Sequence, residues 1–285
     1  MEQCTLKAFA KINLTLDVVG KRPNGYHDVQ MIMQQIDLHD DVTLRKQDKG
    51  IKLVTDSPFI PVDRRNIAYL AAEKMFKRYD IESGLHIQID KRIPVAAGLA
   101  GGSTDAAAVI KGIDQLFNLN LKLEDMMEVG LELGADVPFC IMGGAALAEG
   151  IGEKLTPIGG LKEGWMVLSK PNIGVSTQEV YQRLKWDAIN KHPDTDGMLE
   201  AIEQNDMHGV ASGLCNVLEE VTVGLYPAVK ELKDRFHEYG AVGVLMSGSG
   251  PSVFAFFKNY DKAKKAHKNI ARIYNQTYLV STVNR

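Results

Sequence analysis

Pro94-Val95-Ala96-Ala97-Gly98-Leu99-Ala100-Gly101-Gly102-Ser103-Thr104-Asp105-Ala106-Ala107-Ala108 is the stretch from which the rest of this sequence can be read. Gly98, Gly101 and Gly102 stand just before two hydroxyl side chains and a string of strong helix formers. Glycine lets the backbone turn through positive φ and approach a ligand without Cβ interference. Ser103, Thr104 and Asp105 offer capping chemistry for a helix starting there, and Ala107, Ile110 and Phe117 are spaced for one buried face. A glycine-rich turn entering a helix presents unpaired N–H groups and the positive end of the helix dipole. Such a site attracts phosphate. The plainer alternative is a Gly/Ala turn between a strand and a core helix.

The sequence contains no Gly-x-x-x-x-Gly-Lys-[Ser/Thr], and the dinucleotide fingerprint Gly-x-Gly-x-x-Gly is absent from this run. Pro94–Thr104 instead resembles the phosphate-binding motif of the GHMP kinases, roughly Pro-x-x-x-Gly-Leu-x-x-Ser-Ser. Gly101-Gly102 followed by Ser-Thr-Asp-Ala-Ala resembles the branch acting on a cytidine diphosphate-linked methylerythritol. Ala100 stands where Gly is commoner and Thr104 where Ser is. Threonine keeps the hydroxyl, and alanine fits if its φ is negative. The resemblance implies that residues 94–104 bind ATP, and a bulky residue at Gly101 is then expected to fill the cradle.

The composition sets bounds on everything else. At 285 residues the chain holds one large domain or two of ordinary size. Its 45% hydrophobic and 24% charged shares are those of a soluble globular protein. A net charge of −3 gives no reason to expect nucleic acid or a membrane surface as partner. Lys262, Lys264, Lys265, Lys268 and Arg272 fall opposite Ala263, Ala266, Ile270 and Ile273 on a helical pattern, which reads as a solvated face. Cys4, Cys140 and Cys215 form neither a disulfide framework nor a Cys-x-x-Cys site, and no His-x-x-x-His pair occurs. The first residues show no basic and apolar leader, and Val137–Ala148 is too short to span a bilayer. The expected compartment is the cytoplasm.

Thr5–Val19 alternates as a strand, with Ala10, Ile12, Leu14, Leu16 and Val18 facing a core and Lys11, Asn13, Thr15 and Asp17 emerging on a polar face. Gly20–Gly25 is a turn cluster, followed by strand-like runs at Met31–Asp37 and Asp41–Leu44. A helix is expected over Asn66–Tyr79 and a strand over Leu85–Ile89 leading into the glycine-rich turn. A further helix runs from about Leu123 to Leu133 and stops at Gly134 as a left-handed terminator. Strands are expected at Ala145–Glu149 and Trp165–Lys170, then helices up to Tyr239, then strands Val242–Met246 and Ser252–Phe257 around a Ser247–Pro251 turn. A helix and a strand near Thr277–Val283 end the chain. Strands and helices mix without strict βαβ alternation, so the class is α+β. A boundary falls near Gly159-Gly160. The resemblance implies the two-domain GHMP kinase fold, with residues 1–159 like ribosomal protein S5 domain 2, residues 160–285 ferredoxin-like, and the active site between them.

Phosphorylating a hydroxyl asks for a triphosphate cradle, a divalent cation, a base or orienting group, and a cation against developing charge. Asp136 lies between a helix stop and the Pro-fixed apolar run Val137-Pro138-Phe139. Gly134-Ala135-Asp136-Val137-Pro138 resembles the family segment with the catalytic aspartate, and by position alone it is a turn Asp. Lys11 and Asn13 share the polar face of the first strand, where an ordinary solvated lysine is the plain reading. Ala10-Lys11-Ile12-Asn13-Leu14 resembles the family's first motif, which implies catalysis by Lys11 and substrate contact by Asn13. Gly25-Tyr26-His27 offers a stacking surface and a hydrogen-bonding edge to a nucleobase, or closes a hairpin. The resemblance implies that Tyr26 and His27 hold cytosine, with Tyr181 on its other face unless that residue is core. Ser247-Gly248-Ser249-Gly250-Pro251-Ser252 resembles the third motif, which implies substrate contact by Gly248 and Ser249. ATP and Mg2+ are the implied cofactors, with unassigned metal ligands, and the chain is expected to be a monomer or weak homodimer. Another small-molecule GHMP kinase, of mevalonate or homoserine type, and a nucleotide-binding relative without catalysis are the alternatives.

Overall fold

The computed structural model describes residues 1–162 and 164–284. They form two compact units, each assembled from separate stretches: residues 1–10, 38–95 and 100–143 in the first, and residues 11–37, 96–99, 144–162 and 164–284 in the second. Two long strands, β1 (Gln3–Lys21) and β2 (His27–Gln47), run through both. The class is α+β.

In the first unit the strand order is β3-β4-β2-β1, with β3 at Ile51–Thr55 and β4 at Gly84–Asp90. Strand β4 pairs antiparallel with β2 from Asp41↔Asp90 to Gln47↔Gly84 and parallel with β3. Four helices accompany this sheet: α1 (Ile67–Arg78), α2 (Gly101–Phe117), α3 (Leu123–Leu131) and α4 (Val137–Met142). Asn66 caps α1 by accepting from the Ala68 N–H, and Ala68, Ala71, Ala72 and Met75 form its buried stripe. Helix α2 lies so close to the sheet that a Cβ at Gly112 would meet Leu44 Cδ1 at 2.3 Å. Its buried residues, from Thr104 to Leu116, make it the core helix of the unit.

In the second unit β1 pairs in parallel with β8 (Cys215–Asn216), and β2 pairs with β5 (Ala145–Gly150), which pairs with β6 (Lys154–Ile158). A separate antiparallel sheet has the order β11-β7-β10-β9, built from Trp165–Lys170 (β7), Gly243–Met246 (β9), Val253–Phe257 (β10) and Gln276–Val280 (β11). Its helices are α5 (Thr177–Arg183), α6 (Thr195–Glu203), α7 (Met207–Gly213), α8 (Glu219–Leu225), α9 (Pro227–Glu238) and α10 (Tyr260–Ile270). Every residue of β10 is buried, and Phe236 of α9 meets Phe257 edge-on. Among the described residues no helix is long and apolar enough to cross a membrane.

Several local expectations are corrected. The polar face of β1 is not solvated, because Lys11, Asn13, Thr15 and Asp17 are all buried. Strand β2 continues through His39-Asp40 instead of breaking there. Gly134 does not end α3 in the left-handed region; the helix stops at Leu131, and Val137-Pro138 opens a short helix with Asp136 as its N-cap. Ser103, Thr104 and Asp105 cap nothing, since α2 begins earlier at Gly101. Its N-cap is Ala100, at φ 57° and without a side-chain cap bond.

The φ of Ala100 is therefore positive, against the expectation, and Ala96 is positive as well at 50°. Holding a non-glycine residue there costs about 1–2 kcal/mol. Ala100→Gly is accordingly expected to stabilise the fold by up to ~1 kcal/mol after the entropy gained by the unfolded chain. Urea unfolding of both proteins measures it, and an unchanged or lower midpoint goes against it.

Candidate active site

Two glycine-rich loops of the second unit meet backbone to backbone. Gly98 has φ +73°, and a Cβ placed on it would lie 2.2 Å from the Ser247 carbonyl oxygen. The Ser247 hydroxyl donates to the Gly98 carbonyl at 3.0 Å, and the Ser252 N–H donates to the Ala97 carbonyl at 3.4 Å. From the other side a Cβ on Gly248, at φ +56°, would meet the Gly98 carbonyl at 3.0 Å. Only glycine satisfies both the torsion and the approach at residue 98.

Strand β1 joins this contact. The Lys11 N–H donates to the Leu99 carbonyl at 3.2 Å, which ties the strand to the loop. Lys11 is only 4% exposed, and its ammonium donates to Asn13 Oδ1 at 2.9 Å. Asn13, 0% exposed, donates in turn to Met31 Sδ at 3.2 Å and stands 3.6 Å from the Cβ position of Gly248. Lys11, Asn13, Gly98 and Gly248 thus belong to one cluster. Burying an ammonium is costly unless it is compensated, so such a lysine is placed for more than solubility.

Three residues that the sequence reading missed hold the second loop in place. Asn216 Nδ2 donates to the carbonyls of Met246 and Gly248, each at 2.8 Å. Thr222 Oγ1 donates to the Ser249 carbonyl at 3.1 Å, and the Thr177 and Ser249 hydroxyls share a bond of 2.8 Å. No sequence motif marks them, because each acts only through a tertiary contact.

At the start of β2, His27 is buried and its ring stands 5.2 Å from that of Tyr181 at an interplanar angle of 32°. That spacing is a direct ring contact, with no room for a base between these two residues. Burial, helped by the charge of Lys21, pulls the His27 pKa below its usual value, so the imidazole is neutral at pH 7. Tyr26 is 59% exposed and available to a planar ligand.

The remaining loop residues and Asp136 belong to the first unit. The first intrahelical bond of α2 runs from the Thr104 N–H to the Ala100 carbonyl at 2.9 Å. The N–H groups of Gly101, Gly102 and Ser103 therefore have no acceptor within the helix. Thr104 is buried and its hydroxyl is spent on the Phe9 carbonyl at 2.8 Å, while Ser103 is half-buried. Ser103 is the hydroxyl this turn can offer a phosphate, and Thr104 is not. A Cβ on Gly101 would meet Ile93 Cγ2 at 3.1 Å, so a bulky residue there would push on the protein beneath and not fill the cradle. Val95 is exposed and Pro94 buried.

Asp136 is half-buried, at φ −79° and ψ −16°, and its side chain makes no cap bond to α4. The backbone around it is firm: the Val137 N–H donates to the Gly134 carbonyl at 3.1 Å and the Cys140 N–H to the Asp136 carbonyl at 3.1 Å. All six residues of α4 are buried. The carboxylate is thus carried on a rigid support without being consumed by the helix it begins. Among the described residues no three His, Cys, Asp or Glu side chains cluster as a metal site.

The comparisons with known proteins agree over the whole chain. Residues 66–144 match the family described as GHMP kinases N terminal domain, and residues 198–276 match GHMP kinases C terminal. The sequence is 51% identical over 286 residues to the 4-diphosphocytidyl-2-C-methyl-D-erythritol kinase of Alkaliphilus metalliredigens strain QYMF, covering 100% of this chain and 98% of that one. Identity to the same-named protein of Acetivibrio thermocellus is 50% over 283 residues, covering 99% and 100%. Among solved structures, a 4-(cytidine 5'-diphospho)-2C-methyl-D-erythritol kinase superposes with a TM-score of 0.86 at 30% identity, covering 99% of this chain and 100% of that one. Homoserine kinase from Cytophaga hutchinsonii gives a TM-score of 0.78 at 20% identity, covering 100% and 96%, a likeness of fold alone.

Proposed function

This chain belongs to the GHMP kinases, in the branch of the 4-diphosphocytidyl-2-C-methyl-D-erythritol kinases, and we infer that it transfers the terminal phosphoryl group of ATP to the 2-hydroxyl of 4-diphosphocytidyl-2-C-methyl-D-erythritol. The reaction is a step of non-mevalonate isoprenoid precursor synthesis. The observation that carries this reading is the 51% identity sustained over the full chain to a relative of that name. The matched family segments lie on either side of Gly159-Gly160, which supports a functional division into residues 1–159 and 160–285.

The phosphates of ATP bind along residues 94–104. The free N–H groups of Gly101, Gly102 and Ser103 and the dipole of α2 supply the attraction, and the close contact of Gly98 with Ser247 fixes the loop's shape. Asp136 orients the 2-hydroxyl and takes its proton as the oxygen attacks the γ-phosphorus. Lys11 stabilises the charge that develops during transfer. Asn13, Gly248 and Ser249 contact the substrate next to Lys11. Mg2+ bound with the nucleotide would screen the phosphate charge.

Tyr26 and His27 recognise the cytosine, with Tyr181 supporting the His27 ring. A neutral imidazole has one donor and one acceptor for the base's polar edge, and Tyr26 supplies the exposed face for stacking. The compartment is the cytoplasm, and the working form is a monomer or weak homodimer.

Cytidine diphosphate tests the substrate side. It should compete with the methylerythritol substrate in the wild type, and Tyr26→Ala should weaken that binding by about one to two powers of ten, the worth of one stacked base. ATP binding should change little. If cytidine diphosphate fails to compete in the wild type, the cytidyl assignment falls and only the wider kinase reading stands.

A further inference from the structure

We propose that Asp105 and Lys91 are positioning residues of the nucleotide loop, locking the first turns of α2 to the interior of β2 and the end of β4 so that its free N–H groups hold their aim. The proposal rests on the assignment of residues 94–104 to ATP. Lys91 directly follows β4, Asp40 lies in β2, and Asp105 is the fifth residue of α2. The Lys91 ammonium donates to Asp105 Oδ2 at 2.8 Å and pairs with Asp40 Oδ2. Asp40 Oδ1 also accepts from the N–H groups of Arg92 and Ile93, at 2.5 and 2.8 Å. The three side chains are 7%, 0% and 3% exposed for Lys91, Asp40 and Asp105.

This cluster sits directly against the loop. A Cβ on Gly101 would come within 3.5 Å of the Lys91 ammonium nitrogen. One cation therefore serves two buried carboxylates immediately behind the turn that would receive phosphate.

The two carboxylates are not equivalent. Asp40 accepts from the ammonium and from two backbone N–H groups. Asp105 has the Lys91 ammonium as donor with the Asp40 carboxyl beside it, and its Oδ1 has no hydrogen-bond partner among the described residues. Burial drives the Asp105 carboxyl up to about 8, with Asp40 adding to the rise and Lys91 opposing it. Below that value the Asp105 carboxyl keeps its proton. Losing that proton places one negative charge behind N–H groups that face a polyanion.

The neutral form prevails below about 8 and is lost as pH rises through it, so ATP affinity should weaken on the alkaline side. Other charged groups near the cluster are held by separate partners. Arg92 pairs with Asp41 at 2.7 Å and approaches His39 at 3.3 Å, and Asp56 accepts from the Lys91 N–H at 2.9 Å. From α1 the turn is faced by the apolar Ile67.

Steady-state kinetics of the full chain with ATP, on both sides of the Asp105 value, tests the proposal in wild type, D105N and D105L. Wild type should show an ATP KM that is flat at neutral pH and rises several-fold above about 8. D105N keeps an acceptor for Lys91 and has no proton to lose, so its KM should resemble wild type at neutral pH and lack the alkaline rise. D105L should raise the neutral-pH ATP KM about tenfold, the scale of one charge-assisted hydrogen bond, with kcat and the second substrate's KM much less affected. An alkaline rise persisting in D105N, or a wild-type ATP KM in D105L, overturns the positioning role. If D105L does not fold, the D105N pH curve decides alone. Gly98→Ala separates the two layers: if it moves ATP KM and the Asp105 variants do not, positioning fails. If none of them moves it, the assignment of the loop to ATP fails.

Discussion

Replacing Asp136 by Asn is expected to lower turnover by ~10²–10⁴-fold, the range for removal of a general base. Binding of ATP and of the cytidyl substrate should stay close to wild type, because the change keeps the shape of the side chain and removes only its charge. The structure supports a clean test. Asp136 begins α4 without capping it through its side chain, so the substitution unfastens no helix end. The helix is held by its buried apolar residues, Phe139 and Ile141 among them. Circular dichroism should therefore match wild type, with the loss falling mainly on kcat. A folded Asp136→Asn protein with near-normal turnover ends the assignment of Asp136 as the base.

Gly98→Ala is the second change with a large expected effect, although it adds only one methyl group. That methyl would sit 2.2 Å from the Ser247 carbonyl oxygen, and both atoms belong to the backbone framework, so no flexible side chain can swing aside. The φ of +73° is strained for alanine as well. The loops at 96–99 and 247–252 must separate, and the Lys11 N–H bond to Leu99 is carried along with them. Displacements of about 1 Å at such a centre cost roughly 10²-fold in rate, so kcat/KM for ATP should fall by about that factor. Gly102→Ala provides the contrast. Its Cβ would lie at an ordinary 3.6 Å from Ile67, on a helical backbone, and ATP kinetics should change far less. Equal kinetic effects of the two substitutions contradict the loop-contact account.

The parts of the fold that were legible in the sequence are those written in local patterns. Asn66 capping α1, the alternation of Leu85, Ile87 and Ile89 in β4, and the turn between β9 and β10 each depend on a few neighbouring residues. The motif order was legible for the same reason. Helix α4 was not, because Val-Pro-Phe-Cys-Ile-Met is short, apolar on every side and carries proline where a helix can begin but also where a turn can. The burial of Lys11, Asn13 and Asp17 escaped as well. Period-2 alternation says which residues share a face of β1, but not that polar residues on that face will be covered.

The reading of the glycine-rich run failed in an instructive way at residues 100–105. Ser103, Thr104 and Asp105 carry the side chains of a helix cap, and capping is what their sequence advertises. Ala100 instead opens α2 from the left-handed region, which shifts the helix start and turns those three side chains to other tasks. Thr104 fastens the turn to Phe9, and Asp105 receives Lys91. Neither partner is near in sequence, so neither task could be read there. Asn216, Thr222 and Thr177 escaped for the same physical reason.

The central claim is that this chain phosphorylates the methylerythritol hydroxyl of a cytidyl-linked substrate at the expense of ATP. The most direct measurement is ADP release by the purified full chain, with ATP and Mg2+, offered 4-diphosphocytidyl-2-C-methyl-D-erythritol, mevalonate and homoserine in parallel. The account predicts rapid ADP release, with one phosphate added to the substrate, for the cytidyl compound alone. Turnover of mevalonate or homoserine with the cytidyl compound ignored, or no ADP release with any of the three, would contradict it.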